Sequence, residues 1–215
     1  MSWSASRAVI TLVMLFCLTP TSAKAQSVAG HTLPVKGSPN AVVEIVEVGE
    51  YECPFCARAQ GTLKELARLY PDTVRFTFLH QPLPFHDLAL PTALISVVAQ
   101  EQGKFWEFSE LIFAEQRQLS AQNTRAIAAR VGLPPARVEE ASKSPRIQGI
   151  VENQRRVANA LGAKGTPSFF VNGTAIKGAL GIEAFKRIID IEVALSGKAS
   201  ASPERAEAYR MGRIK

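Results

Sequence analysis

Cysteine is scarce in this chain of 215 residues, with Cys17, Cys53 and Cys56 the whole complement. Histidine is as rare, at His31, His80 and His86. A structural zinc site takes four ligands from these two residue types. A zinc role for Cys53 and Cys56 would therefore need two further ligands that the sequence is poorly equipped to supply. No stretch concentrates lysine and arginine as a nucleic-acid surface does, so a nucleic-acid partner is not expected. No segment repeats. The apolar run near the N-terminus, Ala8 to Leu18, has eleven residues, whereas a membrane span needs about 20.

That run is nevertheless informative. Arg7 precedes it, Thr19-Pro20 breaks it, and Ala23-Lys24-Ala25 fits a small-x-small cleavage pattern. Residues 1–25 are expected to be a cleaved export signal, and the mature protein to be periplasmic. Cleavage removes Cys17, Arg7 and Lys24 but no acid, so the formal charge of +6 falls to +4. The tail, 197–215, carries five of the basic residues against Glu204 and Glu207, which leaves the body close to neutral. Only Cys53 and Cys56 then remain, in an oxidising compartment where thiols form disulfides. A bridge across two residues closes a very small ring and removes little chain entropy, so it is a poor staple. As a reactive pair it is well placed.

Residues 26–40 contain Gly30, Pro34, Gly37 and Pro39 and read as a loose leader, with an edge strand possible around Val35. Ala41 to Val48 is β-branched and mostly apolar, the pattern of a buried strand. From Pro54 the period becomes helical: Phe55, Ala59, Leu63, Leu66, Ala67 and Tyr70 share one face, and Pro54 suits the first helical position. Thr73 to Leu79 alternates as a second strand, completing a βαβ unit. Residues 85–162 are helical throughout, with Ser120 as an N-cap, Gly132 after a helix end, and a final stripe of Ile147, Ile150, Val151, Ala158 and Leu161. Ser168 to Val171 and Thr174 to Lys177 flank the hairpin turn Asn172-Gly173. Gly178 to Gly181 reads as a loop. Ile182, Phe185, Ile188, Ile189 and Val193 form the face of a closing helix, and 197–215 is a basic, flexible tail. The fold class is α/β: a small sheet from residues 41–84 and 163–196, interrupted by an all-helical insertion over 85–162.

A Cys-x-x-Cys pair where a strand passes into a helix marks a thiol redox site. Cys53, just before the helix, meets free N–H groups and the positive end of the helix dipole, which favour a thiolate nucleophile. Cys56, one turn further in, is the resolving thiol. No cofactor or metal is expected beyond the redox-active disulfide. Glu47 interrupts the run Ile45-Val46-Glu47-Val48 and is either a buried carboxylate that moves the proton of Cys56 or an edge residue facing water, as Glu44 would. Pro167, heading a strand, marks an edge or an unusual peptide bond.

Val46 to Cys56, reading Val-Glu-Val-Gly-Glu-Tyr-Glu-Cys-Pro-Phe-Cys, resembles the active-site segment of the DsbA-like branch of the thioredoxin superfamily. Gly103-Lys104-Phe105-Trp106-Glu107 resembles the signature of that family's helical domain, and Gly162 to Gly173 its cis-proline segment with the hairpin that follows. The resemblance covers Ser38 to Leu195. It implies a thioredoxin-like fold with a central mixed sheet, Cys53 as nucleophile, Cys56 as resolving thiol, Glu47 as the buried acid and Pro167 as the cis-proline. It also implies substrate contacts at Thr166, Pro54 and Phe55. Its strong oxidases typically carry Pro-His between the cysteines, and here the dipeptide is Pro54-Phe55. Thr166 is found also in the family's isomerases and reductases. The expected function is a monomeric thiol:disulfide oxidase acting on exported proteins and re-oxidised by a membrane redox partner. A reduced isomerase or reductase, and a chaperone-like binding module with incidental thiols, are the alternatives.

Overall fold

A computed structural model of the chain describes residues 27–28, 31–176 and 181–197. The expected export signal, most of the 178–181 loop and the basic tail lie outside these residues. The strands are β1 (Ser27–Val28), β2 (His31–Thr32), β3 (Val35–Gly37), β4 (Val43–Gly49), β5 (Val74–His80), β6 (Ser168–Val171) and β7 (Thr174–Ile176). Helix α1 (Pro54–Leu69) joins β4 to β5. Between β5 and β6 run α2 (Ala89–Glu101), α3 (Phe105–Ala114), α4 (Ala121–Arg130), α5 (Pro135–Ala141) and α6 (Pro145–Ala160); α7 (Ile182–Gly197) comes last.

Five strands form a mixed sheet in the order β3-β5-β4-β6-β7. β4 and β5 are parallel, as a βαβ unit requires, and the other pairs are antiparallel. Side chains alternate across each strand, so Val43, Ile45 and Glu47 of β4 share one face. Val43 and Ile45 pack there with Ala59, Leu63 and Leu66 of α1 and with Phe185 and Ile189 of α7. On the other face Val48, Leu79 and Phe170 meet Ala158 of α6 and Leu33. The helices of the insertion close a third cluster, which includes Tyr51, Cys53, Cys56 and Phe78.

The expected helix ends are present. Ser120 Oγ accepts from Asn123 N, and Gly132 and Gly162 take φ of +77° and +88° after α4 and α6. Asn172 and Gly173 form the hairpin turn at φ 45° and 85°.

Four details differ from the sequence expectation. The leader is more ordered than expected where it is described: β1 and β2 pair as a short ladder, while β3 is the edge strand expected around Val35. Buried Leu33 anchors this segment between Thr32 and Pro34, and strands of two or three residues are too short to show a period. Glu44 does not face water, because it accepts from Thr77 Oγ1 at 2.6 Å and pairs with Arg75 at 3.4 Å. The inner face of α7 is Phe185, Ile189 and Glu192, while Val193 is exposed. Asn172 of the hairpin turn donates to Glu192 at 2.8 Å, and that polar partner draws the carboxylate inward. Leu161 caps α6 and is exposed rather than part of its stripe.

Gly61 sits in the middle of α1, and a Cβ built on it meets no atom within 4 Å. Glycine inside a helix costs roughly 0.5–1 kcal/mol relative to alanine. Gly61→Ala should therefore stabilise the protein by about that amount, read as an increase in the denaturant midpoint at constant slope.

Candidate active site

Cys53 is the N-cap residue of α1, with extended backbone (φ −66°, ψ 116°), and Pro54 follows at the first helical position. The backbone N–H groups of Cys56 and Ala57 both donate to the Cys53 carbonyl, at 3.1 and 3.2 Å. The turn before the helix is fixed from the insertion: Gln116 Nε2 donates to the carbonyls of Tyr51 (2.7 Å) and Cys53 (2.9 Å). Tyr51 is buried, with its hydroxyl 2.6 Å from Ser109 Oγ on α3.

The two sulfurs are free thiols in unequal settings. Cys53 is 3% exposed and Cys56 wholly buried. Cys53 is drawn down from its ordinary 9.0 to about 5, first by the hydrogen bond from Cys56, then, against the opposing effect of burial, by Thr166 and the backbone N–H groups of Cys56 and Phe55. Cys56 is pushed far up by the same bond to Cys53, by burial and by the charge of Glu47. One thiol ionises readily and the other keeps its proton. The Thr166–Pro167 peptide is cis, and the Thr166 carbonyl lies 3.3 Å from Cys53 Sγ. Ser168 Oγ donates to the Gly165 carbonyl at 2.7 Å and holds this loop in place.

Glu47 is 4% exposed, on the α1 side of the sheet. Gln60 Nε2 donates to both its oxygens, at 3.0 and 3.1 Å, and to the Cys56 carbonyl at 3.3 Å. Burial raises the Glu47 carboxyl to about 8, against the hydrogen bond from Gln60. Of its two alternatives, Glu47 is thus the buried acid, coupled to both thiols. Pro54 and Phe55 stand at the surface, Phe55 at 51% exposure with the Arg58 guanidinium 4.2 Å from its ring centre. Cys53, Cys56, Glu47, Thr166 and Pro167 are brought together; Pro54 and Phe55 form the outer rim.

Several residues of the site escaped the sequence reading. Glu50 is buried, accepts from the Glu52 N–H at 2.7 Å and lies 2.5 Å from His86 Nδ1. Glu52 accepts from the Leu88 N–H at 2.7 Å. Two acids thus tie the loop after β5 to the cysteine loop. Gln60 follows Cys56 by four residues, the spacing of neighbours on one helix face, and that spacing could have singled it out. Gln116 is remote in sequence and carries no such signal. Among the described residues, no group of three or more histidines, cysteines or acids is placed to hold a metal ion.

Residues 30–191 match the family model described as Thioredoxin. The chain belongs to the thioredoxin family. Solved structures share its fold. It is similar to a thioredoxin-like oxidoreductase from Silicibacter pomeroyi DSS-3, with 26% identity, a TM-score of 0.65, and coverage of 74% of this chain and 90% of that one. Oxidised BdbD from Bacillus subtilis is 23% identical with a TM-score of 0.69, covering 75% and 93% of the two chains. Alpha-DsbA1 from Wolbachia pipientis is 22% identical with a TM-score of 0.66, covering 78% and 92%. Among curated proteins, Na(+)/H(+) antiporter NhaA 3 of Salinispora tropica is 34% identical over 156 residues, 72% of this chain and 24% of the antiporter. The chain spans about a quarter of the length of the curated relatives it matches.

Two outcomes follow from the ionisation of the site. Alkylation of the reduced protein by iodoacetamide should modify Cys53 first, with a rate midpoint near pH 5; a midpoint near 9 would contradict the geometry. The folded state holds the Glu47 proton to about 8, whereas an unfolded carboxyl releases it near 4.5. Stability is therefore lost as pH rises between these values, by roughly 1.4 kcal/mol per pH unit. Glu47→Gln should remove that loss, stabilising the protein by about 3 kcal/mol at pH 7 and by little at pH 4. A pH-independent difference between the two proteins would show that Glu47 is not the buried acid.

Proposed function

We propose that this protein is an exported thiol–disulfide oxidoreductase that passes the Cys53–Cys56 disulfide to exported proteins as an oxidase. The observation that carries the reading is the inequality of the two thiols: Cys53 ionises near 5 while Cys56 holds its proton. A client thiolate attacks Cys53 Sγ, the S–S bond breaks, and Cys56 leaves as a thiolate that takes up a proton, with Glu47 the adjacent acid. The second client thiolate then attacks the client sulfur of the mixed disulfide and releases the Cys53 thiolate. The client loses two electrons and gains a disulfide, and the cysteine pair is reduced. A membrane redox partner accepts those electrons and restores the disulfide. The pair is the redox group, and no further cofactor enters.

Energetics support the oxidase direction. Whatever stabilises the Cys53 thiolate stabilises the reduced pair and makes the disulfide the stronger oxidant. At neutral pH, and discounted for solvent screening, the raised acidity of Cys53 increases the potential by tens of millivolts. Phe55 favours a second reading, because the strong oxidases typically carry an imidazole there; a less oxidising isomerase or reductase is the alternative. The domain organisation of this reading is a cleaved signal over 1–25, a thioredoxin-like domain over 41–84 and 163–196, and a helical insertion over 85–162, working as a monomer. The chain spans only about a quarter of the antiporters it matches, so the ion exchange that names them is not proposed for it.

Equilibration with glutathione redox buffers tests the direction. The oxidase reading expects a potential well above the thioredoxin value of about −270 mV. A value near it would replace the oxidase by a reductase. Cys53→Ser should lose all activity in refolding of reduced RNase; retained activity would favour a chaperone.

A further inference from the structure

A cavity of about 260 Å³ lies between α1, β5 and α3, and Cys53 is not among its lining residues. We propose that this cavity is a binding site for a single-ring phenol carrying an anionic tail. The inference is independent of the direction of disulfide exchange.

The size sets the first limit. Sites for drug-sized ligands run from roughly 300 to 1,000 Å³, so this one suits a single ring. Its walls are apolar, with Phe76, Phe113 and Trp106 offering aromatic faces and edges to a ring. Gly61 lines the cavity as well, and the space where its Cβ would stand is open. A helix-interior glycine is unfavourable for α1, yet it leaves this rim unobstructed.

The polar lining selects the ligand's ends. Gln60 directs its amide N–H groups to Glu47 and the Cys56 carbonyl, which leaves Oε1 as an acceptor. Glu47, also lining the cavity, is buried in a setting that favours its protonated, donating form. A phenolic hydroxyl both donates and accepts, and so matches this pair. Trp106 Nε1–H, on the same side of the fold, is buried without an acceptor. At the surface end stand Lys36, Lys64 and Glu110. Lys36 is paired with Glu110 at 2.5 Å. Lys64 is exposed and enters none of the ion pairs among the described residues, and a carboxylate tail would reach it. The carboxyl on the floor is the same group that is coupled to Cys56, so an occupant would touch the exchange site from behind.

The probe is 3-(4-hydroxyphenyl)propionate, titrated into the ¹⁵N-labelled full-length protein. The readout is the indole N–H resonance of Trp106, separated from that of Trp3 by Trp3→Phe. The expected result is a saturable shift of that resonance. Affinity should fall at least tenfold for 3-phenylpropionate, which lacks the hydroxyl. It should fall severalfold for tyramine, whose tail is cationic, and likewise for the first probe with Lys64→Gln. Gly61→Leu, which fills the rim, should abolish the shift while the alkylation rate of Cys53 stays as in the parent, showing that the fold is intact. An unmoved Trp106 resonance would overturn the proposal. So would equal affinity for the phenol and its deoxy analogue, or a Lys64→Gln protein that binds as tightly as the parent.

Discussion

The hydrogen bond between the two cysteine sulfurs is the interaction on which the rest of the site depends. It is the largest cause both of the lowered Cys53 and of the raised Cys56. It works only while Cys53 stays at the entrance to α1 and Cys56 one turn inside it. That spacing is a helix register, and the structure defends the register from outside the helix. Pro54 starts α1 at a position where a missing N–H is harmless. Gln116 holds the carbonyls on either side of Glu52 from the helical insertion. The loop of Thr166 and Pro167 closes the remaining side of Cys53.

A stabilised thiolate beside three acids is an electrostatic problem, and each acid is handled differently. Glu47, deep beside α1, is favoured in its protonated form and so adds little negative charge below about pH 8. Glu50 is buried, but the Glu52 N–H and His86 take its two oxygens. Glu52 is only half-buried and turns to the Leu88 N–H. Hydrogen bonding of this kind makes buried carboxylates tolerable. It also turns them into ties that fasten the 81–88 segment to the cysteine loop.

How much was legible in the sequence follows from the physics of each signal. The change from period two to helical period at Pro54 showed the βαβ unit, because burial imposes that period on Val43, Ile45 and Leu63 alike. The cysteine pair and Pro167 stood out as residue types with few other reasons to be there. Glu47 did not resolve from composition, since a lone acid in an apolar strand fits an edge as well as a core; the chain order of the sheet, with β4 in its centre, decides it. Gln60 and Gln116 work as amide donors, and neither adds to any apolar period. The exchange of Val193 for Glu192 on α7 has the same origin: Asn172, 20 residues away in sequence, supplies a partner that a helical pattern cannot register.

The helical insertion is more than a lid appended to a thioredoxin core. Tyr51, Cys53, Cys56 and Phe78 belong to the same buried cluster as Phe105, Phe108 and Ile112 of α3. Tyr51 stacks near Phe78 at 5.9 Å and meets Phe113 at 5.1 Å, while Phe78 lies 5.6 Å from Phe105. Such ring pairs contribute about 0.5–1.5 kcal/mol each beyond their buried area. Loosening α3 would therefore release Tyr51, and with it the turn that presents Cys53. Phe105, Phe108 and Ile112 of α3 are thus core, whereas Trp106 is only partly buried. The segment's functional effect runs through the position of the cysteine loop, so α3 can influence thiol chemistry without touching either sulfur.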